Sequence, residues 1–109
     1  MGKFIKGDVV VLPFPFSDLS GSKRRPALVL ADLQGDDIIL CQITSQQSSD
    51  FYAIELRNSD FINGTLPVDS HIRPSRIFTA DKKIILKKAG TISKTKMKSV
   101  IDKIIHIIK

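Results

Sequence analysis

Arg24 and Arg25 stand directly before Pro26 and the apolar run at 27–31, and they are the chain's most distinctive candidates for chemistry. A proline restrains the preceding residue to an extended conformation, so we expect Arg25 to be fixed where a strand begins and Arg24 to remain in the preceding polar loop. Guanidinium groups stay charged and hold phosphate oxygens through two parallel hydrogen bonds. The pair could therefore bind a phosphate, although two consecutive arginines more often serve only solubility.

Two further polar groups follow apolar residues. Gln42 and Thr44 face outward at the end of a strand if the isoleucine between them points inward. In an extended chain His71, Arg73 and Ser75 share one face. A histidine and an arginine that project together could bind a phosphate, and an exposed polar strand face is the commoner explanation of such a pattern.

Metal-ligating residues are not grouped in the sequence. His71 and His106 lie far apart, and Cys41 has no CxxC partner. The chain also lacks a glycine-rich phosphate loop and a GxSxG nucleophile motif. We therefore predict no metal and no cofactor, so a reaction would have to use arginine, threonine, serine, histidine or aspartate side chains.

The charge of this 109-residue chain is distributed unevenly. Its net charge is +6, but residues 1–81 hold eight basic and ten acidic side chains, whereas residues 82–109 hold nine lysines and one aspartate. A basic end suggests an anionic partner, either nucleic acid or an acidic protein segment. A lysine-rich solvated helix face is the alternative, and charge alone favours it slightly.

The composition is that of a globular protein, with 42% hydrophobic and 26% charged residues. The single cysteine, Cys41, permits no intrachain disulfide and favours a reducing cytosol. No apolar run approaches the ~18 residues of a transmembrane helix, and the N-terminus lacks the features of a signal peptide. These features predict one cytoplasmic domain over 1–109 without membrane contact.

Short extended segments separated by turn signals predict a small β-sandwich or barrel. Prolines break the valine-rich run at 8–16, the polar segment 17–25 predicts a loop, and Asn63 followed by Gly64 signals a turn. The other predicted strands are 26–31, 37–44, a segment of alternating polarity at 52–57 and an extended stretch at 68–80.

The C-terminal segment changes to helical periodicity. Ser93 can cap a helix because its hydroxyl accepts a hydrogen bond from the first unpaired N–H groups. Apolar residues follow at three- and four-residue spacing over an arc of about 160°. We expect this face to pack on the barrel or on a second subunit. Its residues are Met97, Val100, Ile101, Ile104, Ile105, Ile107 and Ile108.

Three motifs follow one another along the chain: GDVVV at 7–11, RRPALVL at 24–30 and ITSQ at 43–46. Together with the segment IRPSRIFTAD at 72–81 and the amphipathic helix, they resemble the PemK/MazF family of toxin endoribonucleases. The resemblance implies a mainly β fold, a compact SH3-like β-barrel of the Kid/MazF/CcdB type with a C-terminal amphipathic α-helix. It also implies a homodimer that cuts single-stranded RNA without metal and leaves 2′,3′-cyclic phosphate and 5′-hydroxyl ends.

The resemblance assigns roles to individual residues. By position, Arg25 matches the family's catalytic arginine, Thr44 its catalytic threonine and Arg73 a second arginine of the Kid-like branch. The family often has an acidic residue two positions after that arginine, where this chain has Ser75, so the general base stays unassigned. The residues expected to contact RNA are Ser22, Lys23, Arg24, Gln46, His71, Ser75 and Arg76.

Two classes of function remain open at this point. The first is the endoribonuclease toxin, and the alternative is a non-catalytic SH3-like module that binds nucleic acid or a protein target, as CcdB-type relatives do. Arg25 together with Thr44 favours the enzyme, whereas Ser75 favours the alternative. For the enzyme, the resemblance implies an acidic antitoxin. We expect a largely disordered segment of it to place carboxylates against Arg24, Arg25 and Arg73 and to anchor itself with apolar residues.

Overall fold

Seven strands and one long helix are formed by residues 3–14, 23–46 and 50–109, the ranges that the computed structural model describes. The strands are β1 (Asp8–Phe14), β2 (Lys23–Asp32), β3 (Asp37–Thr44), β4 (Ile54–Leu56), β5 (Phe61–Gly64), β6 (Ser70–Asp81) and β7 (Lys87–Ile92), and the helix is α1 (Lys94–Ile108). The strands form one antiparallel sheet in the order β4-β6-β3-β2-β1-β7-β5.

The sheet curls because its two edge strands are nearly consecutive in the chain. β4 and β5 lie at opposite ends of the strand order, yet only residues 57–60 separate them, including a short 3₁₀ turn at Asn58–Asp60. Lys96 of α1 spans the gap, since its Nζ donates to the carbonyl of Glu55 at 2.9 Å and lies 3.5 Å from a carboxylate oxygen of Asp60. The predicted mainly β fold with a C-terminal helix is confirmed, with the barrel present as a curled half-barrel.

Alternation along the strands gives the sheet two buried faces. On one face Val9, Leu28, Cys41, Ile43 and Ile72 pack beneath α1, and we call this the helix face. Their neighbours in sequence build a second cluster on the opposite face, with side chains that include Val10, Leu12, Ala27, Val29 and Leu40. Strands with apolar residues on both faces are typical of a sheet that is covered twice, and the three central strands of this sheet fit that pattern.

The helix is fully buried only along its first half, and Ile104 beyond it packs partly buried against the same cluster. Ser93 caps it as predicted, because its hydroxyl accepts from the backbone N–H of Lys96 at 3.1 Å. Met97 and Val100 are buried, but Ile105 is 48% and Ile108 is 74% exposed. The predicted apolar face therefore meets the sheet at its beginning and leaves it toward the C-terminus. Within the described ranges, no helix is long and apolar enough to span a membrane.

The predicted loop at 17–25 is wrong at its C-terminal end. Lys23, Arg24 and Arg25 belong to β2 and stand opposite Phe14, Pro13 and Leu12 of β1. Both arginines are therefore fixed by strand pairing, whereas the proline restriction predicts this for Arg25 alone. The rest of that loop, including Ser22, lies outside the described residues.

Two other expectations need correction near β7. The predicted turn at Asn63 and Gly64 is the end of β5, where Gly64 has a φ of +66° and a Cβ would meet the carbonyl oxygen of Ala89 at 2.1 Å. Glycine is needed there because β7 passes so close. β7 itself, KKAGTI, carries no strong apolar alternation and was not predicted.

Candidate functional site

The register of the sheet brings Arg25, Thr44 and His71 to one end of three neighbouring strands. Thr44 of β3 stands directly opposite His71 of β6. Ala27 of β2 stands opposite Gln42 of β3, so Arg25, two residues before, and Thr44, two residues after, point to the same face. Neighbouring strands lie about 4.8 Å apart, which places the three side chains in one row.

The Thr44 hydroxyl is fixed in this row. Its side chain is buried, and its Oγ1 accepts a hydrogen bond from the backbone N–H of Gln46 at 3.2 Å. This bond turns the chain away from the sheet directly after β3. Because the hydroxyl oxygen accepts from the backbone, its hydrogen remains available to donate to a ligand.

Two buried nitrogen atoms in the same row have no hydrogen-bond partner in the described part of the chain. They are Nε of Arg25 and Nδ1 of His71. A buried polar atom without a partner costs about 1–3 kcal/mol, so native proteins seldom leave one unless a ligand or water meets it. Two such atoms on either side of the Thr44 hydroxyl indicate a site for a polar ligand.

Arg73 lies next to this row in a wide bulge of β6. Ile43 pairs with Ile72 and Cys41 pairs with Ile77, so Gln42 alone faces the four residues 73–76. The bulge leaves the carbonyl of Arg73 outside the ladder, and the Cys41 thiol donates to it at 2.9 Å. Burial raises the pKa of Cys41 to about 12, so this thiol is protonated and can donate at neutral pH.

Arg73 binds an aspartate that no sequence motif indicates. Nε of Arg73 donates to Oδ2 of Asp50 at 2.9 Å, and the side chains are 21% and 6% exposed. Asp50 also accepts from the backbone N–H of Tyr52 and from the side chain of Ser75. Burial acts to raise the pKa of Asp50, but these three donors and the positive charge of Arg73 hold it below its ordinary value.

A groove of about 520 Å³ lies at the same end of the sheet. Apolar side chains from β1, β2 and the loop before β6 form much of its wall, and Arg24, Arg25 and Lys87 supply positive charge. The apolar members include Val11, Pro26, Leu66, Pro67, Val68 and Leu86. An apolar trough with a cationic rim suits a chain that carries both flat bases and phosphates.

The other residues predicted to contact RNA differ in what they contribute to this site. Gln46 contributes its backbone N–H to Thr44, and its side chain is exposed. Arg76 is exposed in the bulge and makes no ion pair within the described ranges. Lys23 begins β2, and Ser22 lies outside the described residues. Among described residues, no group of three or more His, Cys, Asp or Glu side chains could hold a metal ion.

One weak signal in the sequence points to Asp50. It is the only acidic residue in the polar segment 45–50 that follows β3, and such a segment is usually interpreted as a solvated loop. Its neighbour Phe51 was also passed over. Phe51 is 85% exposed, and its ring makes an edge-to-face contact with Tyr52, with ring centroids 5.3 Å apart.

The family model for PemK-like, MazF-like toxins of type II toxin–antitoxin systems matches residues 5–108. The chain belongs to this family. The family assignment confirms the resemblance carried by the motifs. A search of curated proteins finds no match.

Solved structures share the fold of this PemK/MazF family member at low sequence identity. A mycobacterial endoribonuclease in complex with its cognate antitoxin superimposes with a TM-score of 0.75 at 13% identity, covering 95% of this chain and 93% of that one. MazF from a MazE–MazF crystal of Deinococcus radiodurans gives a TM-score of 0.73 at 18% identity, covering 99% and 97%. The toxin MazF-mt6 of Mycobacterium tuberculosis gives 0.68 at 12% identity, covering 89% and 91%. At such identities the similarity establishes the fold alone.

Proposed function

We propose that this PemK/MazF family chain is a toxin endoribonuclease that cleaves single-stranded RNA in the cytoplasm without a metal ion. The observation that carries the proposal is the row of Arg25, Thr44 and His71, in which two buried nitrogen atoms lack a partner within the described ranges. Arg73, two residues after His71, and a cationic groove that Arg25 also lines support it. Two of the structural neighbours are described as endoribonucleases, which agrees with this activity.

The residues match the needs of an internal transesterification. The ribose 2′-oxygen attacks the adjacent phosphorus, the bond from phosphorus to the 5′-oxygen breaks, and one proton leaves the 2′-hydroxyl while another reaches the 5′-oxygen. The products are a 2′,3′-cyclic phosphate and a 5′-hydroxyl. Arg25 and Arg73 stabilise the charge that develops on the phosphoryl oxygens, a contribution of roughly 3–4 kcal/mol for one well-placed donor.

The other two members of the row handle protons and orientation. The Thr44 hydroxyl donates to the phosphate or to the 2′-oxygen, because its own oxygen is occupied by the N–H of Gln46. His71 is the group we assign to proton transfer, since histidine is the side chain that most often serves as a general acid or base and its Nδ1 has no partner in the described part of the chain. Ser75 and Asp50 do not take this role, because Ser75 has no basic group and the donors around Asp50 lower its pKa, which makes it a weaker base than a normal carboxylate.

Nucleotides flanking the cleaved bond bind along the groove and the exposed ring of Phe51. Arg24 and Lys87 meet phosphates, and the apolar wall meets bases. Phe51 follows Asp50 and is therefore next to the Arg73 pair, where its face is free to stack on a base. Stacking on an aromatic side chain contributes about 1–3 kcal/mol per base and tolerates any sequence.

The proposed partners follow from the same surface. An acidic antitoxin segment would mimic RNA phosphates at Arg24, Arg25 and Arg73, and two of the neighbours were solved with their antitoxins. We also propose a homodimer, to which the exposed Ile105 and Ile108 at the end of α1 contribute.

The proposal is tested with labelled single-stranded RNA in the presence of EDTA. We expect cleavage by the wild-type chain, with new 5′ ends that polynucleotide kinase labels without prior phosphatase treatment. Arg25→Ala should slow the cleavage by about 100- to 1,000-fold. Arg57→Ala, which alters an exposed arginine paired with Glu55, is the matched control that retains it. RNA that is bound but left intact by the wild-type chain would contradict the proposal and favour a non-catalytic binding module.

A further inference from the structure

Asp50 and Arg73 form an ion pair with a buried carboxylate and a partly exposed guanidinium. The Asp50 side chain is 6% exposed and the Arg73 side chain 21%. The link between them uses Nε of Arg73, the atom nearest the aliphatic stem. Within the described ranges, nothing hydrogen-bonds to the two terminal amino groups of Arg73.

This geometry leaves the two terminal amino groups of the guanidinium available to bind a ligand. A carboxylate bound at Nε restricts rotation of the planar group about its stem, and the two terminal amino groups then point in a defined direction. Those two groups are the ones that hold a phosphate in a bidentate fork. A lysine has a single ammonium nitrogen, so it could not bind Asp50 through one nitrogen and a phosphate through two others.

We infer that Asp50 is a positioning residue for RNA cleavage, which fixes the guanidinium of Arg73 so that its terminal amino groups meet the scissile phosphate. The inference rests on the proposed function and adds a residue to its site. Asp50 acts through Arg73 and does not touch the RNA.

The surroundings of Asp50 fit a positioning role better than a role as general base. Its carboxylate accepts from Arg73, from the N–H of Tyr52 and from the Ser75 side chain, so little capacity remains to take a proton from a substrate. Those donors hold its pKa below the ordinary range against the opposing effect of burial, and a weaker base than a normal carboxylate is poorly matched to a proton transfer at neutral pH.

The bulge in β6 makes the contact possible. Bulges add residues to one strand, redirect side chains and often occur beside functional sites. Here four residues of β6 face Gln42 alone, and both Arg73 and Ser75 within the bulge bind Asp50. The Cys41 thiol holds the carbonyl of Arg73 from the core side. The guanidinium is thus fixed through its side chain and its own backbone.

A double-mutant cycle tests the inference. The variants are Asp50→Asn, Arg73→Ala and the two combined, and Asp32→Asn is the matched control because Asp32 forms another partly buried ion pair, with Lys82, at the far end of β2 from Arg25. Misplacing a reacting group by about 1 Å can cost about 100-fold in rate, so we expect Asp50→Asn to slow cleavage by roughly 10- to 100-fold. It should have no further effect when residue 73 is already alanine.

Two outcomes would overturn the inference. One is wild-type cleavage by Asp50→Asn. The other is a double variant in which the two single losses multiply, because a residue that only stabilises the fold would act independently of Arg73. Asp32→Asn should leave the cleavage rate of each background unchanged.

Nuclear magnetic resonance of the arginine side chains gives a readout that needs neither cleavage nor a folded Asp50 variant. In the wild-type protein we expect the Arg73 Nε–H signal, identified by its loss in Arg73→Ala, to be protected from solvent exchange. A single-stranded DNA oligonucleotide, which lacks the 2′-hydroxyl and cannot be cut, should shift the terminal amino signals of Arg73 and leave the Nε–H protected. Free exchange of that Nε–H, or no response of the terminal groups, would refute the positioning role. If the wild-type chain cuts no RNA, the proposed function fails, and this experiment still decides whether Asp50 orients Arg73 toward a phosphate.

Discussion

Asp8 and Asp50 are both buried carboxylates, and they differ in what binds them. Asp8 accepts from the backbone N–H of Ile5 at 3.0 Å and from the hydroxyl of Thr91 at 2.9 Å, and its nearest cation, Lys88, is 3.9 Å away. It ties the N-terminal segment to β7. Asp50 instead binds Arg73, whose terminal groups are accessible. A carboxylate that joins two parts of the fold serves stability, whereas one that holds an accessible cation serves binding or catalysis.

The largest effect on activity is expected at Arg25. Arg25→Ala should lower the cleavage rate by about 100- to 1,000-fold, the cost of removing one preorganised donor from a developing negative charge. The melting temperature should stay within about 3 °C of the wild type, because Nε of Arg25 has no partner in the described part of the chain and its loss breaks no hydrogen bond there. Single-turnover cleavage and thermal melting measure the two effects. A variant that cuts RNA at the wild-type rate would exclude Arg25 from the site.

Asp8 should show the reverse pattern. Asp8→Ala removes a fully buried acceptor and leaves the donors of Ile5 and Thr91 unpaired, which should lower the free energy of unfolding by about 2–4 kcal/mol. The melting temperature should then fall by about 10 °C or more for a domain of this size. Cleavage per folded molecule should be unchanged below that temperature. If Asp8→Ala melts normally but loses activity, the distinction between the two carboxylates is wrong.

A smaller effect is expected from acid on the Asp50 pair. The pKa of Asp50 is lowered in the folded chain, so its contribution to stability is complete above the ordinary carboxyl pKa near 4 and is lost as the pH falls through the lower folded value. The wild-type protein should therefore lose more stability than Asp50→Asn as the pH falls from about 5 toward 2. Denaturant unfolding across this range measures the difference between the two proteins. If the free energy of unfolding falls equally in the two proteins across this pH range, Asp50 is not held ionised by Arg73.

The sequence could predict Arg25, Thr44 and Arg73 as site candidates, but not the contact of Arg73 with Asp50. Arg25 and Thr44 stand at the ends of apolar runs, so alternation and proline restriction predict their orientation. The register of β2 and β3 then brings the two side chains to the same end of the sheet. Asp50 lies in a polar segment without periodicity and meets Arg73, 23 residues away, only because β6 carries its bulge. No local sequence pattern predicts how many residues a bulge contains. β7 was missed for a related reason, since its place is secured by close contact of Gly90 with β5 and not by apolar alternation.

The smallest effect on stability is expected at the end of α1, where the helix leaves the sheet. Met97 and Val100 are buried, but Ile108 is 74% exposed, so Ile108→Lys should change the free energy of unfolding of a single subunit by no more than about 0.5 kcal/mol. Val100→Ala, the control from the buried half, should cost about 1 kcal/mol or more because it leaves a cavity under the helix.

The same two variants should have opposite effects on assembly. In light scattering at micromolar concentration, Ile108→Lys should lower the mass of the protein and Val100→Ala should not. If the exposed isoleucines meet a second copy, a lysine at residue 108 places two like charges across a symmetric interface and shifts the protein toward a mass of about 12 kDa, whereas Val100→Ala remains a dimer. A wild-type protein that already scatters as a monomer would remove the dimer, and the solvent-facing end of α1 would then be a lysine-rich helix tail with no role in assembly.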